Sequence, residues 1–149
     1  MTDLVAAVRR SIEAWNRDDF DGCVAIAHPS IEWSSGVAQQ LSGKGAVYRG
    51  LSGLRRYWDE WHELWRVRLR IMEIVRTNDT VVVVACTEAR GDSSGVIVRQ
   101  PIGYMYEFED GMARTAQSFI DPDAAYEAAG IERGPASEPE LYSAASQGR

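Results

Sequence analysis

The sequence has few of the side chains from which metal and disulfide sites are built. Two histidines and two cysteines occur among its 149 residues, and neither pair has the spacing of metal ligands. Residues 43–50 contain three glycines but lack the spacing of a dinucleotide-binding loop. We therefore expect neither a metal site nor a bound cofactor.

The two cysteines, Cys23 and Cys86, lie in the apolar segments GCVAIA and VVVACT. No signal-peptide pattern precedes them, and small thiols in such surroundings usually serve as core residues. We therefore expect buried, reduced cysteines and a cytoplasmic location.

Long apolar runs and an excess of positive charge are also absent. No apolar run approaches the roughly 20 residues that a transmembrane helix needs, so we expect no membrane association. The formal net charge is -6, whereas binding to nucleic acid requires a clustered basic face, so we expect no nucleic-acid partner. What the chain does contain is 45% hydrophobic residues, enough for the core of one globular domain.

Residues 96–121 predict a β-hairpin around which the rest of the chain is organised. Asp-Gly within the turn at residues 109–111 is a strong hairpin signal. In the first strand, four large residues alternate and share one face: Ile102, Tyr104, Tyr106 and Phe108. Pro101 and Gly103 in the same strand predict a bend or a sheet edge there. Because the aromatic face needs a cover, we expect a sheet that curves around an interior.

The spacing of apolar residues predicts three helices before this sheet. The first spans residues 3–17, the second spans 18–27, and the third starts from a Ser52 cap and continues to Trp65. The third helix carries one broad apolar stripe, made of Leu54, Tyr57, Trp58, Trp61, Leu64 and Trp65. We expect this stripe to pack on the sheet.

Further strands follow from alternating apolar residues. A brief strand is predicted at residues 31–33, followed by a loop over 34–45. Residues 66–76 alternate until the pattern slips at 72–74, as a β-bulge would make it do. The VVVVA run within residues 80–90 is apolar on both sides, which predicts a central strand covered on both faces.

The end of the chain divides into a short helix and a polar segment. Asp121 and Pro122 suit a helix start, and Gly130 suits a helix end. The segment that follows is rich in Ser, Ala, Gly, Pro and Glu. We therefore predict one folded domain over residues 1–131 and a flexible tail over residues 132–149.

Several sequence words together resemble the SnoaL-like branch of the NTF2-like superfamily, which has the nuclear transport factor 2 and ketosteroid isomerase-like fold. They are AWNRDDFDG, IEW, VYRGLSGLRRYWDEW, YEFEDG and FIDPDAAYEAAGI, spread over about residues 3–131. The resemblance implies an α+β cone, in which three N-terminal helices pack on a strongly curved, mainly antiparallel sheet that encloses a pocket. It also implies a short C-terminal helix and a homodimer formed through the outer faces of the sheets.

The superfamily is similar in fold but diverse in function, so the resemblance leaves two alternatives. The first is a small-molecule-binding protein related to polyketide cyclases, isomerases or dehydratases, with cofactor-independent acid–base chemistry if it is an enzyme. The second is a noncatalytic homodimeric ligand-binding or association domain whose aromatic interior is simply a core.

The resemblance also points to particular positions. Tyr104 matches the strand position of the protonated acid in the isomerase oxyanion hole, and its hydroxyl is able to donate to a carbonyl. Trp33 stands near the position of the general base, and Ser118 stands where epoxide hydrolases hold an acid; neither side chain serves as a strong acid or base. The nearest groups suited to proton transfer near neutral pH are His28 and His62. We therefore predict Tyr104, His28 and His62 as catalytic residues, although a core tyrosine and locally bonded histidines explain the same pattern.

The predicted pocket wall is aromatic and has few polar groups. Besides Tyr104, we expect it to contain the ligand-binding residues Trp15, Trp33, Tyr48, Trp58, Tyr106 and Ser118. Such a wall suits a small apolar or aromatic molecule.

Overall fold

The structure, a computed structural model, describes residues 3–36, 39 and 47–133. In chain order the elements are α1 (Leu4–Asn16), α2 (Phe20–Val24), β1 (Ala27–Ser35), β2 (Val47–Arg49), α3 (Gly50–Leu64), β3 (Trp65–Thr77), β4 (Thr80–Gly91), β5 (Ile97–Glu109), β6 (Met112–Phe119) and α4 (Pro122–Ala129). Most of the predicted loop and most of the predicted tail lie outside the described residues.

The six strands form one sheet in the order β2-β1-β6-β5-β4-β3. Strands β1 and β6 are parallel, and every other neighbouring pair is antiparallel. The sheet is curled but not closed, and β2 and β3 are the edges of its described part. The predicted α+β class and the mainly antiparallel, curved sheet are confirmed.

Strand β4 is buried on both faces, as its VVVVA run predicts. Val83 packs on the inner face with residues of α1, β1 and β5, whereas Val82 and Val84 pack on the outer face against α4. All three valines are completely buried. Strand β4 therefore contributes to both faces of the sheet. Helices α1 and α3 cover the inner face, and α4 partly covers the outer face.

Two predicted distortions of the sheet are confirmed. The register of β3 against β4 shifts between Ile71 and Glu73, which is the expected bulge. In the β5–β6 turn, Asp110 and Gly111 both have positive φ, 53° and 79°, as a tight hairpin turn of the favoured hand requires. Strand β5 pairs with β4 from Ile97 to Glu107 but with β6 only from Gly103 onward, so at Pro101 one side of β5 has no strand partner among the described residues, which is the predicted edge.

The predicted second helix is too long at its end, and the predicted cap of the third is misplaced. Helix α2 ends at Val24 because the next residues join the sheet, where the Ile26 carbonyl accepts a hydrogen bond from Ala113 N at 2.7 Å. Helix α3 begins at Gly50, so Ser52 lies inside its first turn and does not cap it. Its last residue is Leu64, and Trp65 is already the first residue of β3.

The segment after α4 is held against the outer face by a buried ion pair. Arg133 Nη2 lies 2.9 Å from Glu73 Oε1, and Arg133 Nη1 lies 2.7 Å from Asp123 Oδ1. The same guanidinium stands 5.3 Å from the centre of the Tyr126 ring. These contacts extend past the predicted domain boundary at residue 131.

Candidate functional site

A cavity of about 380 Å³ lies between the helices α1 and α3 and the inner face of the sheet. Tryptophan, tyrosine and aliphatic side chains form most of its wall, and the described lining residues include no aspartate, glutamate, histidine, lysine or arginine. The cavity therefore offers van der Waals contact and a few uncharged hydrogen-bonding groups.

Six of the residues predicted to form a site lie on this wall: Trp15, Trp33, Trp58, Tyr104, Tyr106 and Ser118. Strand alternation places Tyr104 and Tyr106 on the inner face of β5, and Ser118 lies opposite Tyr104 on β6. The Ser118 hydroxyl accepts a hydrogen bond from Gly36 N at 3.0 Å. This bond uses one acceptor lone pair of the Ser118 hydroxyl, so the hydroxyl is still able to donate its proton to another group.

Trp15 connects the helical wall to the sheet. Its Nε1 donates to the Val67 carbonyl at 2.9 Å, which holds the indole in one orientation. Its ring also meets Trp58 edge to face, with the centroids 5.0 Å apart. This part of the wall is consequently built as a fixed aromatic surface.

The other three predicted site residues, Tyr48, His28 and His62, do not appear on the cavity wall. The Tyr48 hydroxyl donates to Glu60 Oε1 at 2.7 Å, and the Tyr48 ring meets Tyr57 edge to face with the centroids 5.1 Å apart. His28 Nδ1 accepts from Ser30 N at 2.9 Å, a local bond within two residues.

His62 lies behind the wall rather than in it. Its ring stacks on Trp58 with the centroids 4.1 Å apart. Its Nδ1 donates to the Trp58 carbonyl at 2.8 Å, and its Nε2 lies 3.4 Å from Asp18 Oδ1. Both ring nitrogens therefore have protein partners, and neither histidine is among the described lining residues, so a catalytic role for either stays a prediction that the geometry does not support.

The tyrosines of the cavity remain protonated far above neutral pH. Burial raises the pKa of Tyr104 to about 12, and the neighbouring Thr87 hydroxyl opposes part of that rise. Burial also raises the pKa of Tyr57 and of Tyr106 above the ordinary value, and the nearby Tyr104 phenol adds to both rises. At physiological pH these phenols are therefore neutral hydrogen-bond donors.

These pKa shifts predict that the protein loses stability as the pH rises above about 10. In that range the unfolded chain releases its tyrosine protons, while the folded chain keeps those of Tyr57, Tyr104 and Tyr106. The folded state then binds more protons, so the free energy of unfolding falls with pH. Denaturant unfolding at pH 8, 10 and 11 measures this fall, and absorbance at 295 nm reports the ionised tyrosines. Native phenols that titrate together near pH 10 would contradict the burial of these side chains.

Two polar atoms of the wall are buried without a hydrogen-bond partner. Within the described part of the chain, neither Trp33 Nε1 nor Thr87 Oγ1 makes a hydrogen bond. Trp33 is near enough to the Tyr57 phenol, and Thr87 to the Tyr104 phenol, to lower the pKa of each phenol. Neither pair is close enough or well enough aligned to form a hydrogen bond. Such atoms are uncommon in native proteins and need an explanation.

Sequence reasoning missed three wall residues of interest, Tyr57, Thr87 and Trp65. Tyr57 was in the apolar stripe of the third helix, but a stripe does not tell which side chains reach a cavity. Thr87 shares a strand face with Ala85 and Ala89, and extending the alternation beyond the valine run would have found it. The apolar stripe places Trp65 at the end of the third helix, whereas as the first residue of β3 it shares the inner face with Val67.

The Cys23 thiol also lies at the cavity wall. Burial raises the pKa of Cys23 to about 11, while a hydrogen bond from Ser11 opposes the rise and the charge of Asp19 adds to it. The Ser11 hydroxyl donates to the Cys23 carbonyl at 2.6 Å. Both cysteines are unpaired thiols, and the described residues contain no cluster of three or more groups suited to hold a metal ion.

The curled sheet and the helices that cover it define an NTF2-like protein. The family model described as SnoaL-like domain matches residues 8–116, which is most of the chain. The chain therefore belongs to the SnoaL-like family. A comparison with curated proteins gave no significant match. Over the range that the structure describes, no helix is both long and apolar enough to cross a membrane.

Solved structures of similar fold include an NTF2-like protein of unknown function from Burkholderia pseudomallei K96243. It is 21% identical with a TM-score of 0.73, and the match covers 85% of this chain and 97% of that one. TerC, co-crystallised with polyporic acid, is 22% identical with a TM-score of 0.71, over 83% and 95% of the two chains. A ketosteroid isomerase-like protein from Catenulispora acidiphila DSM 44928, in complex with trimethylamine, is 12% identical with a TM-score of 0.68, over 87% and 97%. At these identities the likeness concerns the fold alone.

Proposed function

We propose that the protein binds a small apolar or aromatic molecule inside the cone and that Tyr104 donates a hydrogen bond to it. The cavity carries this proposal, because its volume of about 380 Å³ far exceeds the packing defects of an ordinary core. Small-molecule sites typically have volumes of roughly 300–1,000 Å³, an apolar lining and a few fixed polar groups. Two proteins of the same fold, TerC and the Catenulispora protein, were crystallised with small molecules.

The wall supports binding better than acid–base catalysis. An isomerase, cyclase or dehydratase that moves a proton needs a base within hydrogen-bond reach of its substrate. The described lining contains neither a carboxylate nor an imidazole, and Trp33 stands near the position that matches the isomerase base. Catalysis through His28 or His62 would require these rings to leave the partners that hold them.

Native mass spectrometry of protein purified gently from its own host tests the proposal. We expect a reproducible small-molecule adduct on the wild-type protein. Tyr104→Phe should lower the affinity for the isolated ligand by about three- to tenfold, since one hydrogen bond to an uncharged group is lost. Tyr48→Phe removes a hydroxyl that bonds to Glu60 outside the cavity, so this control should bind as the wild type does.

An adduct-free protein that also fails to bind added apolar probes would contradict the proposal. It would favour the alternative, a noncatalytic association domain with a filled cone. Equal effects of Tyr104→Phe and Tyr48→Phe would leave the cavity in place as a binding site but would remove Tyr104 as its anchor.

Two further features that the resemblance and the composition imply are part of the proposal, a homodimer and a cytoplasmic location. The same native spectra give the mass of the assembly, and a monomer at micromolar concentration would contradict the dimer. Thiols that remain reduced in protein taken directly from cells would support a reducing compartment.

A further inference from the structure

The two polar atoms of the wall that lack a hydrogen bond indicate which functional group the ligand carries. Trp33 is 8% exposed, and its Nε1 and the Thr87 hydroxyl both lack a hydrogen bond within the described residues. Leaving a buried donor unpaired is costly, and a native protein retains such groups where a bound molecule satisfies them. Both residues line the cavity.

These groups lie beside two neighbouring phenols of the wall, because the Trp33 N–H is near the Tyr57 hydroxyl and the Thr87 hydroxyl is near the Tyr104 hydroxyl. The Trp33 indole stacks on the Tyr104 ring, with the centroids 6.3 Å apart and the planes 14° from parallel. Thr87 lies on the neighbouring strand β4, close enough for its hydroxyl to act on the Tyr104 phenol. Because the Tyr57 and Tyr104 phenols are close enough to affect each other, the indole N–H of Trp33 and the hydroxyls of Thr87 and Tyr104 belong to the same part of the wall.

Resting on the proposed function, we infer that the ligand is an uncharged planar molecule with a carbonyl-type oxygen, which Trp33, Thr87 and Tyr104 bind. The indole N–H is only a donor, so the matching ligand atom is an acceptor. A cation that has only hydrogen-bond donors, or a cation with no hydrogen-bonding group, would leave the Trp33 N–H without an acceptor. An anion would enter a low-dielectric space in which the described wall provides no cation.

Three probes that share the fluorene ring system separate these possibilities: 9-fluorenone, fluorene and fluorene-9-carboxylate. They share the ring system and differ in a neutral carbonyl, no polar group and a negative charge. By isothermal titration calorimetry we expect fluorenone to bind about tenfold more tightly than fluorene. We expect the carboxylate to bind at least about tenfold more weakly than fluorenone.

Variants of the two donors assign the preference to them. Thr87→Val and Trp33→Phe each remove one polar group and keep most of the side chain, and each should reduce the ratio of fluorenone to fluorene affinity severalfold. Thr115→Val is the matched control, because that hydroxyl bonds to Glu107 at 2.6 Å on the outer face of the sheet. It should keep the wild-type ratio.

The outcomes distinguish this inference from the proposed function. If neither fluorene nor fluorenone binds, the binding function itself fails. If both bind with equal affinity to the wild-type protein, the binding function stands and the inference is wrong. Displacement of fluorenone by tetramethylammonium would overturn the uncharged class. A full carbonyl preference in both donor variants would overturn the assignment to Trp33 and Thr87.

Discussion

Replacing Arg133 with methionine is expected to lower the free energy of unfolding by about 3 kcal/mol. The side chains of Arg133 and Glu73 are only 8% and 12% exposed, and their charged atoms lie 2.9 Å apart. Methionine fills much of the same space but leaves the Glu73 carboxylate buried without its cation. Denaturant unfolding followed by tryptophan fluorescence measures the loss.

Two comparisons show whether burial causes this effect. Arg55→Met removes an exposed ion pair with Asp59, whose side chains are 56% and 61% exposed, and should change the stability by less than about 0.5 kcal/mol. Glu73→Gln combined with Arg133→Met leaves no buried charge and should recover most of the loss, since the amide still accepts a bond from the Tyr126 hydroxyl. A loss below about 1 kcal/mol for Arg133→Met, or no recovery in the double variant, would contradict the argument.

Replacing Gly103 with alanine should lower the free energy of unfolding by about 2 kcal/mol, because β5 and α4 touch at this residue. A Cβ atom on Gly103 would lie 2.8 Å from the Ala125 Cβ and 2.9 Å from the Pro122 Cα. Backbone and short side chains cannot rotate away, so the helix has to shift from the outer face. The measurement is again the free energy of unfolding, together with the loss of tertiary circular dichroism.

Gly91→Ala is the matched control for this substitution. It also places a methyl group on a strand glycine, but the nearest atom is the Ser94 hydroxyl oxygen at 2.5 Å. That exposed side chain is able to turn away at the cost of one exposed hydrogen bond from Val96 N. The effect of Gly91→Ala should be less than about 1 kcal/mol. Equal losses for Gly91→Ala and Gly103→Ala would mean that strand conformation, and not the contact with α4, limits Gly103.

Most of the fold followed from local patterns, because each pattern is imposed by the geometry of a single element. Alternation identified the inner face of β5, the double burial of Val82 and Val83 and the slip that became the bulge near Glu73. The turn at Asp110 followed from the need for positive φ. The errors lay where contacts with distant chain segments decide the length of an element. Helix α2 is an example, because the parallel pairing of β1 with β6 determines where the helix ends.

The candidate site was only partly predictable for the same reason. Residue type and alternation place Tyr104 and Tyr106 on an inner face, and both line the cavity. Neither property tells that Tyr48 reaches Glu60 or that His62 turns toward the carbonyl of Trp58. Those orientations depend on which groups the folded chain brings within hydrogen-bond distance.

The sequence by itself determined the elements, their buried faces and the membership of the SnoaL-like family, since these depend on periodicity and on short sequence words. The tertiary structure alone decided which side chains meet. It joined Glu73 to Arg133 across 60 positions of the chain, and it gathered Trp33, Thr87 and Tyr104 in one apolar cavity. Hydrogen bonds and ion pairs act over a few ångströms, so only the folded chain shows which donors are satisfied and which still need a ligand.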